Sequence, residues 1–289
     1  MAPALEIRGL RKSFKTFTLG PIDLTVPAGS IYGFVGANGA GKTTTIDLIF
    51  GMGRNDAGTI RALGLDHQRD EVALKRQVGY VSPNLDFGVW KRVGRAVSFV
   101  RGFYDTWDQQ YCERLLHTFH LDPGDRIATL SFGARTKLAV VLALSWRPRL
   151  LVLDEPTIGL DAIARQEVFV ELLAAVRDET RAVFISSHAI AELERFADHV
   201  GMIHQGQMVF EGAIDDLLER YRMVEFLAGD RFALDPSSGV RVQKHEDERW
   251  RVLVDRRTAP DNWLTRHGLA PIADAPVSLE ELFVALGRS

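Results

Sequence analysis

The sequence predicts an α/β fold that contains a helical subdomain and carries a small α+β appendage at its C-terminal end. Ser30–Val35 has the pattern of a buried strand, a glycine-rich loop follows it, and Thr44–Phe50 has the pattern of a helix start. Leu150–Leu153 is a second continuous apolar run, and it ends in two acids. Continuous apolar runs are typical of parallel strands that are covered on both faces.

The segments before and after these strands follow the same alternation. Leu5–Leu10 and Pro21–Pro27 alternate between apolar and polar residues, which predicts strands. Residues 85–147 are predicted to be mostly helical, because apolar residues recur at helical spacing in Val93–Phe103 and Tyr111–Phe119. This stretch, residues 85 to about 147, is the predicted helical subdomain.

The strand–helix alternation resumes after residue 148. Ala162–Val176 is predicted to be a helix, and Ala182–Ile185 a buried strand that ends in Ser-Ser-His. Met202–Phe210 is predicted to be a hairpin around Gln205–Gln207. This part of the chain therefore continues the α/β core.

Beyond about Met223 the pattern changes. Arg249–Val254 alternates like a strand, Pro236–Gly239 is rich in turn residues, and Val277–Leu286 is predicted to be a terminal helix. We therefore predict a core domain over residues 1–222 and a small accessory domain over residues 223–289.

Composition excludes some classes of protein. The chain is 46% hydrophobic and 25% charged, which is ordinary for a soluble globular protein, and its net charge of −3 gives no indication of a nucleic-acid partner. Cys112 is the only cysteine, so no intrachain disulfide is expected. We expect no signal peptide at the N-terminus. The longest apolar run, Leu138–Trp146, is too short to span a bilayer.

The strongest motif follows the first buried strand and matches the phosphate-binding pattern G-x-x-x-x-G-K-[ST]. Its residues, with one further threonine, are Gly36, Ala37, Asn38, Gly39, Ala40, Gly41, Lys42, Thr43 and Thr44. Glycines let backbone N–H groups approach phosphate oxygens, and the helix N-terminus adds partial positive charge. We expect Lys42 to reach the β- and γ-phosphates and the Thr43 hydroxyl to bind Mg²⁺. A plain glycine turn is disfavoured by the strand and helix on either side.

Asp154 and Glu155 follow the second buried strand. A carboxylate at this position can lie across from Mg²⁺. Asp154 is therefore predicted to bind the ion through a metal-bound water. Glu155 points elsewhere and is predicted to be the general base that polarises the attacking water. The alternative is a pair of solvated acids at a strand end, which the phosphate loop makes less favourable.

His188 stands at the end of the next buried strand. A polar side chain there can reach the phosphates, and an imidazole could hydrogen-bond the γ-phosphate and the water. Most lone histidines are structural. The convergence of strand ends favours a functional role for this one.

Leu130-Ser131-Phe132-Gly133-Ala134 completes a set of motifs that resembles the nucleotide-binding subunits of ABC transporters. The resemblance covers residues 4 to about 222, with the motifs in family order. Phe132 replaces the first of two signature glycines and Ala134 replaces the usual glutamine. Ser131 is also a plausible helix N-cap, and a helix start of this kind can face an anion. A simple capped helix is the alternative.

The resemblance implies further roles. Ile158–Asp161 is similar to the family's D-loop, and Phe14 lies where the family places an aromatic residue that stacks on adenine. In this family the signature, here Ser131 and Gly133, contacts the ATP held by the other protomer. The resemblance therefore implies an ABC-type P-loop ATPase core that forms a head-to-tail dimer, most simply a homodimer, with two ATP molecules at its interface.

One position departs from the family. The loop after Val78–Ser82 usually carries a glutamine or glutamate, and Pro83 stands there in this chain. Proline has no side-chain oxygen for Mg²⁺ or water. Asn84 and Asp86 are the candidates to replace it.

Secondary motifs resemble the type-2 exporter branch of bacterial ABC ATPases, and Ytr-type exporters within it. They are Phe103–Asp108, Ser186–Glu194 and Val277–Phe283. The resemblance implies a separate transmembrane permease subunit, no nucleic-acid partner, and a cytoplasmic location on the inner face of the cell membrane. The aromatic and basic stretch Phe87–Trp107 lies where the family docks a membrane subunit. The alternative is that it forms the packed face of the helical subdomain.

Two other classes of function stay open at this point. A non-transport ABC protein usually carries two cassettes in one chain or a long coiled coil between them, and neither occurs here. A regulatory module that holds ATP without turnover is disfavoured by Glu155 and His188, whereas Pro83 supports it.

Overall fold

The computed structural model describes residues 2–177, 180–229, 232, 234 and 238–287. The chain divides into two compact units. The first contains the residues up to Ala189 together with Phe196–Glu211, and the second contains Ile190–Arg195 and the residues from Gly212 onward. The domain limits 1–222 and 223–289 stay a prediction from the sequence.

The elements up to the end of the helical subdomain are, in chain order, β1 (Leu5–Ser13), β2 (Thr18–Val26), β3 (Ile31–Val35), α1 (Lys42–Ile49), β4 (Ala57–Ala62), β5 (Leu65–Asp66), α2 (Glu71–Lys75), β6 (Val78–Val81), α3 (Val93–Arg101), α4 (Gln109–Thr118) and α5 (Phe132–Leu144). They are followed by β7 (Leu150–Asp154), α6 (Ala162–Ala175), β8 (Ala182–Ser187), α7 (Ile190–Leu193), β9 (His199–His204), β10 (Gln207–Ala213), α8 (Ile214–Arg220), β11 (Tyr221–Leu227), β12 (Val240–Glu246), β13 (Arg249–Asp255), β14 (Pro271–Pro276) and α9 (Leu279–Gly287).

A largely parallel sheet, in the order β10–β9–β3–β8–β7–β6, positions the chemistry of the first unit. Strand β3 pairs in parallel with β8, so that Val35 lies opposite Ser187, and Asp154 of β7 lies opposite Ser186. The carboxyl ends of β3, β7 and β8 therefore meet at one edge of the sheet. Ligands of open α/β sheets bind at this edge.

The core of the first unit forms between this sheet and the antiparallel sheet β2–β1–β4–β5. Phe184 of β8 is fully buried, and its ring lies 5.5 Å from Tyr32 and 5.3 Å from Phe34, both on β3. Aromatic contacts of this kind add about 0.5–1.5 kcal/mol beyond the burial of area. They hold β3, and with it the start of the glycine loop, against β8.

The helical subdomain is joined to α6 by an ion pair. The Arg114 guanidinium of α4 donates two hydrogen bonds, of 2.7 and 2.8 Å, to the buried carboxylate of Glu171 on α6. The Tyr111 hydroxyl donates a third, of 3.2 Å. Burial and the Glu171 charge raise the pKa of Tyr111, so this hydroxyl keeps its proton to donate.

The second unit has its own antiparallel sheet, in the order β12–β13–β11–β14, and its own core. Phe226 of β11 is fully buried and lies parallel to the Trp250 ring at 6.2 Å. Helix α9 begins at a capping box in which Glu281 and Ser278 bond each other's backbone N–H groups, at 3.0 and 3.1 Å.

The predicted α/β class is confirmed, as are the buried strands β3, β7 and β8, the hairpin of β9 and β10, and the terminal helix. The sequence patterns missed β4, β5 and β14, because β4 and β14 are largely exposed, β5 has only two residues, and none of them shows an apolar period. Of the turn predicted at Pro236–Gly239, the first two residues lie outside the described residues, and Gly239 has φ +73°. Among the helices that the structure describes, none is both long and apolar enough to cross a membrane.

Candidate functional site

The glycine loop connects β3 to α1 and needs its glycines for two reasons. A Cβ atom on Gly36 would lie only 2.5 Å from the backbone oxygen of Ile203, so no larger residue fits. Gly41 has φ +113°, a left-handed conformation that side chains disfavour, and it precedes the helix. Of the predicted loop residues, Ala37, Asn38, Gly39 and Thr43 are exposed, Thr44 is half-buried and Ala40 is buried. The loop thus presents backbone atoms to solvent at a helix N-terminus, which suits phosphate binding.

Lys42 lies beneath this loop and is buried. Its Nζ donates hydrogen bonds to the backbone oxygens of Gly36 at 2.7 Å and Ala37 at 3.3 Å. The same atom lies 3.3 Å from Oε1 of Glu155. A buried ammonium group held this way supplies positive charge directly under the phosphate-binding backbone.

Asp154 is buried at the end of β7, and both of its carboxylate oxygens have partners. The Thr43 hydroxyl donates to Oδ2 at 2.9 Å, and the Ser186 hydroxyl donates to Oδ1 at 2.6 Å. Ser186 also accepts the backbone N–H of Glu155 at 3.0 Å. Partial burial and then the neighbouring Asp154 charge raise the pKa of Asp47 on α1, so the two acids lie close enough to interact.

This donor set fits Mg²⁺. A threonine hydroxyl and one carboxylate are hard oxygen donors, and Mg²⁺ commonly takes few protein ligands together with substrate phosphates and waters. Groups of three or more His, Cys, Asp or Glu side chains able to hold a metal do not occur among the described residues. A metal at this site would therefore depend on the nucleotide for further ligands.

Glu155 and His188 face each other at the same sheet edge. Nδ1 of His188 lies 2.8 Å from Oε2 of Glu155, and the imidazole is half exposed whereas the carboxylate is mostly buried. Glu155 has φ +46°, an uncommon conformation for a residue other than glycine. This conformation belongs to the turn that follows Asp154. Strained backbone at such a turn is typical of functional sites.

Phe14 immediately follows β1, and its ring is about half exposed (49%). Its backbone N–H donates to the Phe17 carbonyl at 2.7 Å, and the two rings lie 6.2 Å apart. A Cβ on Gly41 would lie 3.2 Å from Cζ of Phe17. Phe17 thus packs against the glycine loop, while Phe14 leaves a free aromatic face.

Ser131 caps helix α5, as its position in the sequence predicts. Its Oγ accepts the backbone N–H of Ala134 at 3.1 Å, and both Ser131 and Phe132 are exposed. Asp161 caps α6 in the same way, with Oδ1 accepting the N–H of Ala164 at 2.8 Å. A Cβ on Gly133 would lie 2.9 Å from the backbone oxygen of Gly159. The signature and the D-loop segment are therefore in direct contact within one chain.

The loop at Pro83 is held by its neighbours. Ser82 is buried at the end of β6, and its Oγ accepts the N–H of Asn84 at 3.3 Å. The Asp86 carboxylate accepts the N–H of Gly88 at 2.8 Å and thereby closes its own turn. Since β6 lies beside β7, Ser82 is the polar side chain of this loop that stands next to the strand carrying Asp154.

The sheet edge brings together Lys42, Thr43, Asp154, Glu155 and His188, as the strand pattern predicts. The sequence motifs assigned no site role to Ser186, which bridges Asp154 and the Glu155 backbone. Its signal was available, because Ser186 is a polar residue within a buried apolar strand. The positions of Ser82 and Asp47 beside the site were also not predicted, since neither residue is part of a recognisable functional motif.

Similarity to known proteins identifies the chain. A family model described as ABC transporter matches residues 19–158. The bacitracin transport ATP-binding protein BcrA of Bacillus licheniformis is 30% identical over 213 residues, which cover 73% of this chain and 70% of BcrA. The chain belongs to the ABC transporter ATP-binding family. The resemblance inferred from its motifs is confirmed.

Two further similarities extend over most of this ABC protein. The ABC transporter ATP-binding protein YtrB of Bacillus subtilis (strain 168) is 28% identical over 292 residues, covering 97% of each chain. A solved structure of an ATP-binding subunit of an ABC transporter aligns with a TM-score of 0.67 and 26% identity, covering 75% of this chain and 92% of the other. Members of this family are ATPases, so the chain is an ATP-binding ATPase.

Proposed function

We propose that two copies of this ABC ATPase form a head-to-tail dimer that hydrolyses ATP and drives export through separate membrane-spanning subunits. The observation that carries the proposal is the convergence of Lys42, Asp154, Glu155 and His188 at the carboxyl ends of β3, β7 and β8. The name of BcrA refers to transport of bacitracin, an antibiotic, which supports an exporter role for this chain.

Binding of ATP begins with the phosphates. The exposed loop from Ala37 to Gly39 offers backbone N–H groups, and the N-terminus of α1 adds partial positive charge. Lys42, already buried beneath the loop, neutralises the β- and γ-phosphates. The free face of Phe14 stacks on adenine, because aromatic rings bind a base by its π-face. Thr43 would hold Mg²⁺ directly, and Asp154 would hold it through a bound water. The ion would offset phosphate charge in the transition state.

Hydrolysis requires a base that is close to the γ-phosphate and correctly oriented. Glu155 accepts the proton of the attacking water, since its carboxylate lies at the sheet edge beside Lys42. His188 positions that carboxylate through the 2.8 Å contact between Nδ1 and Oε2. When the phosphates engage Lys42, its ion pair with Glu155 weakens and the carboxylate becomes available to the water.

The dimer follows from where the signature lies. Ser131 and Gly133 stand at the exposed start of α5, where the helix N-terminus can meet an anion. Each motif occurs once in the sequence, so a second chain must supply the signature to each ATP. A homodimer is the simplest arrangement that does so with two equal sites. Asp161, which caps α6 beside the signature, is placed at the same interface.

The helical subdomain carries the surface that we assign to the membrane subunit. The rings of Trp90 and Phe99 lie 5.0 Å apart, as do those of Phe99 and Phe103, and Phe99 and Phe103 remain exposed. From the same stretch of chain, Phe87, Val100 and Tyr104 line part of a cavity of about 290 Å³. Exposed apolar patches of this kind mark interaction sites. Binding there would hold the ATPase on the inner, cytoplasmic face of the cell membrane.

The test uses Glu155→Gln, which keeps the side-chain shape and removes the charge of the base. We expect this variant to bind ATP, to leave it uncleaved and to accumulate as a dimer, measured by size-exclusion chromatography with light scattering. Glu113→Gln, on the exposed surface of α4, is the matched control and should behave like the wild type. Normal hydrolysis by Glu155→Gln, or a monomer at saturating ATP, would overturn the proposal. ATP binding by the wild type without any phosphate release would favour the regulatory module instead.

A further inference from the structure

Phe132 occupies a place in the signature where this family usually has glycine. It is the first residue of α5, directly after the cap residue Ser131, and its side chain is half exposed (50%). An exposed phenylalanine at a helix start has no role in capping, since it offers no acceptor for the free N–H groups. The ring must therefore be explained by what it contacts.

The ring of Phe132 lies against Gly159 in the D-loop segment. A Cβ on Gly159 would lie 2.5 Å from Cδ1 and 3.0 Å from Cε1 of Phe132, so only glycine fits beneath the ring. Gly159 also has φ +73°, which favours glycine independently. On the other side of the contact, Gly133 approaches the Gly159 backbone oxygen. Two consecutive signature residues thus approach the same glycine of the D-loop.

The D-loop segment connects directly to the base. The backbone N–H of Ile158 donates to the Glu155 carbonyl at 3.2 Å, and that of Leu160 donates to Thr157 at 3.2 Å. Glu155 itself has a left-handed backbone. These tight turns leave few residues between Gly159 and Glu155. Gly159 and Glu155 therefore belong to one hydrogen-bonded segment of five residues.

We propose that Phe132 is a positioning residue that couples the signature to Glu155 of the same chain. The inference rests on the proposed function, in which the signature meets the ATP of the partner. Engagement of that ATP moves the start of α5, the ring presses on Gly159, and the D-loop sets the backbone of Glu155. Hydrolysis in one site then depends on occupancy of the other. A glycine at position 132 would leave the turn at Gly159 without this contact.

A competing role for the ring is direct contact with the partner chain or its nucleotide. The two roles differ in which site they affect. A ring that acts through Gly159 affects the base of its own chain, whereas a ring that touches the partner's nucleotide affects the partner's site. The experiment therefore separates the two chains.

The first measurement compares Phe132→Gly and Phe132→Leu with the wild type in ATPase assays over a range of ATP concentrations. We expect Phe132→Gly to lower kcat about tenfold and to reduce the Hill coefficient toward 1, with little change in KM, because the ring touches no nucleotide of its own chain. Phe132→Leu should restore most of the loss, since it keeps an apolar contact on Gly159. Unchanged kcat and cooperativity in Phe132→Gly would overturn the proposal.

The second measurement places the change in one chain only. Heterodimers are purified through two different tags. One protomer carries Glu155→Gln, so only the other protomer keeps a working base. We expect Phe132→Gly to impair hydrolysis more when it lies in the chain with the working base than when it lies in the other chain. An effect confined to the other chain would instead assign the ring to the partner's nucleotide.

Dimer formation distinguishes a failure of this inference from a failure of the proposed function. In the Glu155→Gln background, Phe132→Gly should still form the ATP-bound dimer. Loss of the dimer only when Phe132 is changed would make the ring an interface residue and overturn the coupling role. If Glu155→Gln itself hydrolyses ATP normally, the proposed function fails whatever Phe132 does.

Discussion

Ser186 and Asp154 form a short hydrogen bond, 2.6 Å from hydroxyl to carboxylate, at the buried edge of the sheet. Since the same hydroxyl accepts the N–H of Glu155, one serine holds both acids of the site. The second oxygen of Asp154 is thereby directed to Thr43. Ser186 thus positions both Asp154, the proposed metal group, and Glu155, the proposed base.

Replacing Ser186 with alanine should lower ATPase activity strongly and the free energy of unfolding only moderately. The change leaves a buried carboxylate oxygen and a backbone N–H without their partner, which costs about 1–3 kcal/mol of unfolding free energy. We expect ATPase activity at limiting Mg²⁺ to fall about 10- to 100-fold, as is typical when a partner of a metal ligand is lost. Ser187→Ala is the control, because Ser187 is also buried in β8 and loses a single hydrogen bond, to Ala189. Equal activity losses in the two variants would contradict this role.

Complementation tests whether Ser131 acts across the dimer. Lys42→Ala removes the charge that offsets the phosphates, and we expect it to lower hydrolysis at least about 100-fold by itself. Ser131→Arg should also inactivate the homodimer. In a mixture of the two, heterodimers have one site with both lesions and one site with neither, so activity should return in part. The measurement is phosphate release from heterodimers purified through two tags. No recovery in a proven heterodimer would indicate that Ser131 acts within its own chain.

Pro83 predicts slow turnover by the ATPase alone. The Asp86 carboxylate already accepts the Gly88 N–H, and the Asn84 backbone N–H is bonded to Ser82, so this loop must rearrange before either side chain can replace the missing glutamine. We expect Pro83→Gln to raise the ATPase rate measured without a membrane partner, because it supplies a side-chain oxygen and adds a backbone N–H that proline lacks. Asn84→Ala and Asp86→Ala should lower the partner-stimulated rate in at least one case. Fast hydrolysis by the wild type alone, unchanged in all three variants, would show that this loop is not needed.

The pair of Arg114 and Glu171 predicts an asymmetry in stability. Arg114→Ala leaves a buried carboxylate without its cation and should lower the free energy of unfolding by about 3–5 kcal/mol. Glu171→Ala leaves a half-exposed guanidinium, which water can solvate, so its cost should be smaller. The double variant should cost less than the two single changes added together. Chemical unfolding followed by circular dichroism measures all three. Equal and additive losses would show that the buried charge does not dominate.

The sequence by itself determined the α/β class and the family, together with the phosphate loop, Asp154, Glu155 and His188. These features are local, because a turn of consecutive residues or the end of an apolar strand specifies them without reference to distant parts of the chain. Local reasoning also identified Ser131 as a helix cap, whereas Asp161 was identified by the resemblance to the family's D-loop; the capping bonds of both reach only three residues along the chain.

Only the tertiary structure decided which distant residues meet. Ser186 bonds Asp154 from 32 residues away, and Arg114 bonds Glu171 from 57 residues away. The ring of Phe132 contacts Gly159 in another loop. A residue that departs from the family pattern therefore packs against the D-loop. Pairs of this kind depend on strand order and helix packing. The periodicity of apolar residues along the sequence predicts neither of them, because both result from burying apolar faces of different elements against each other.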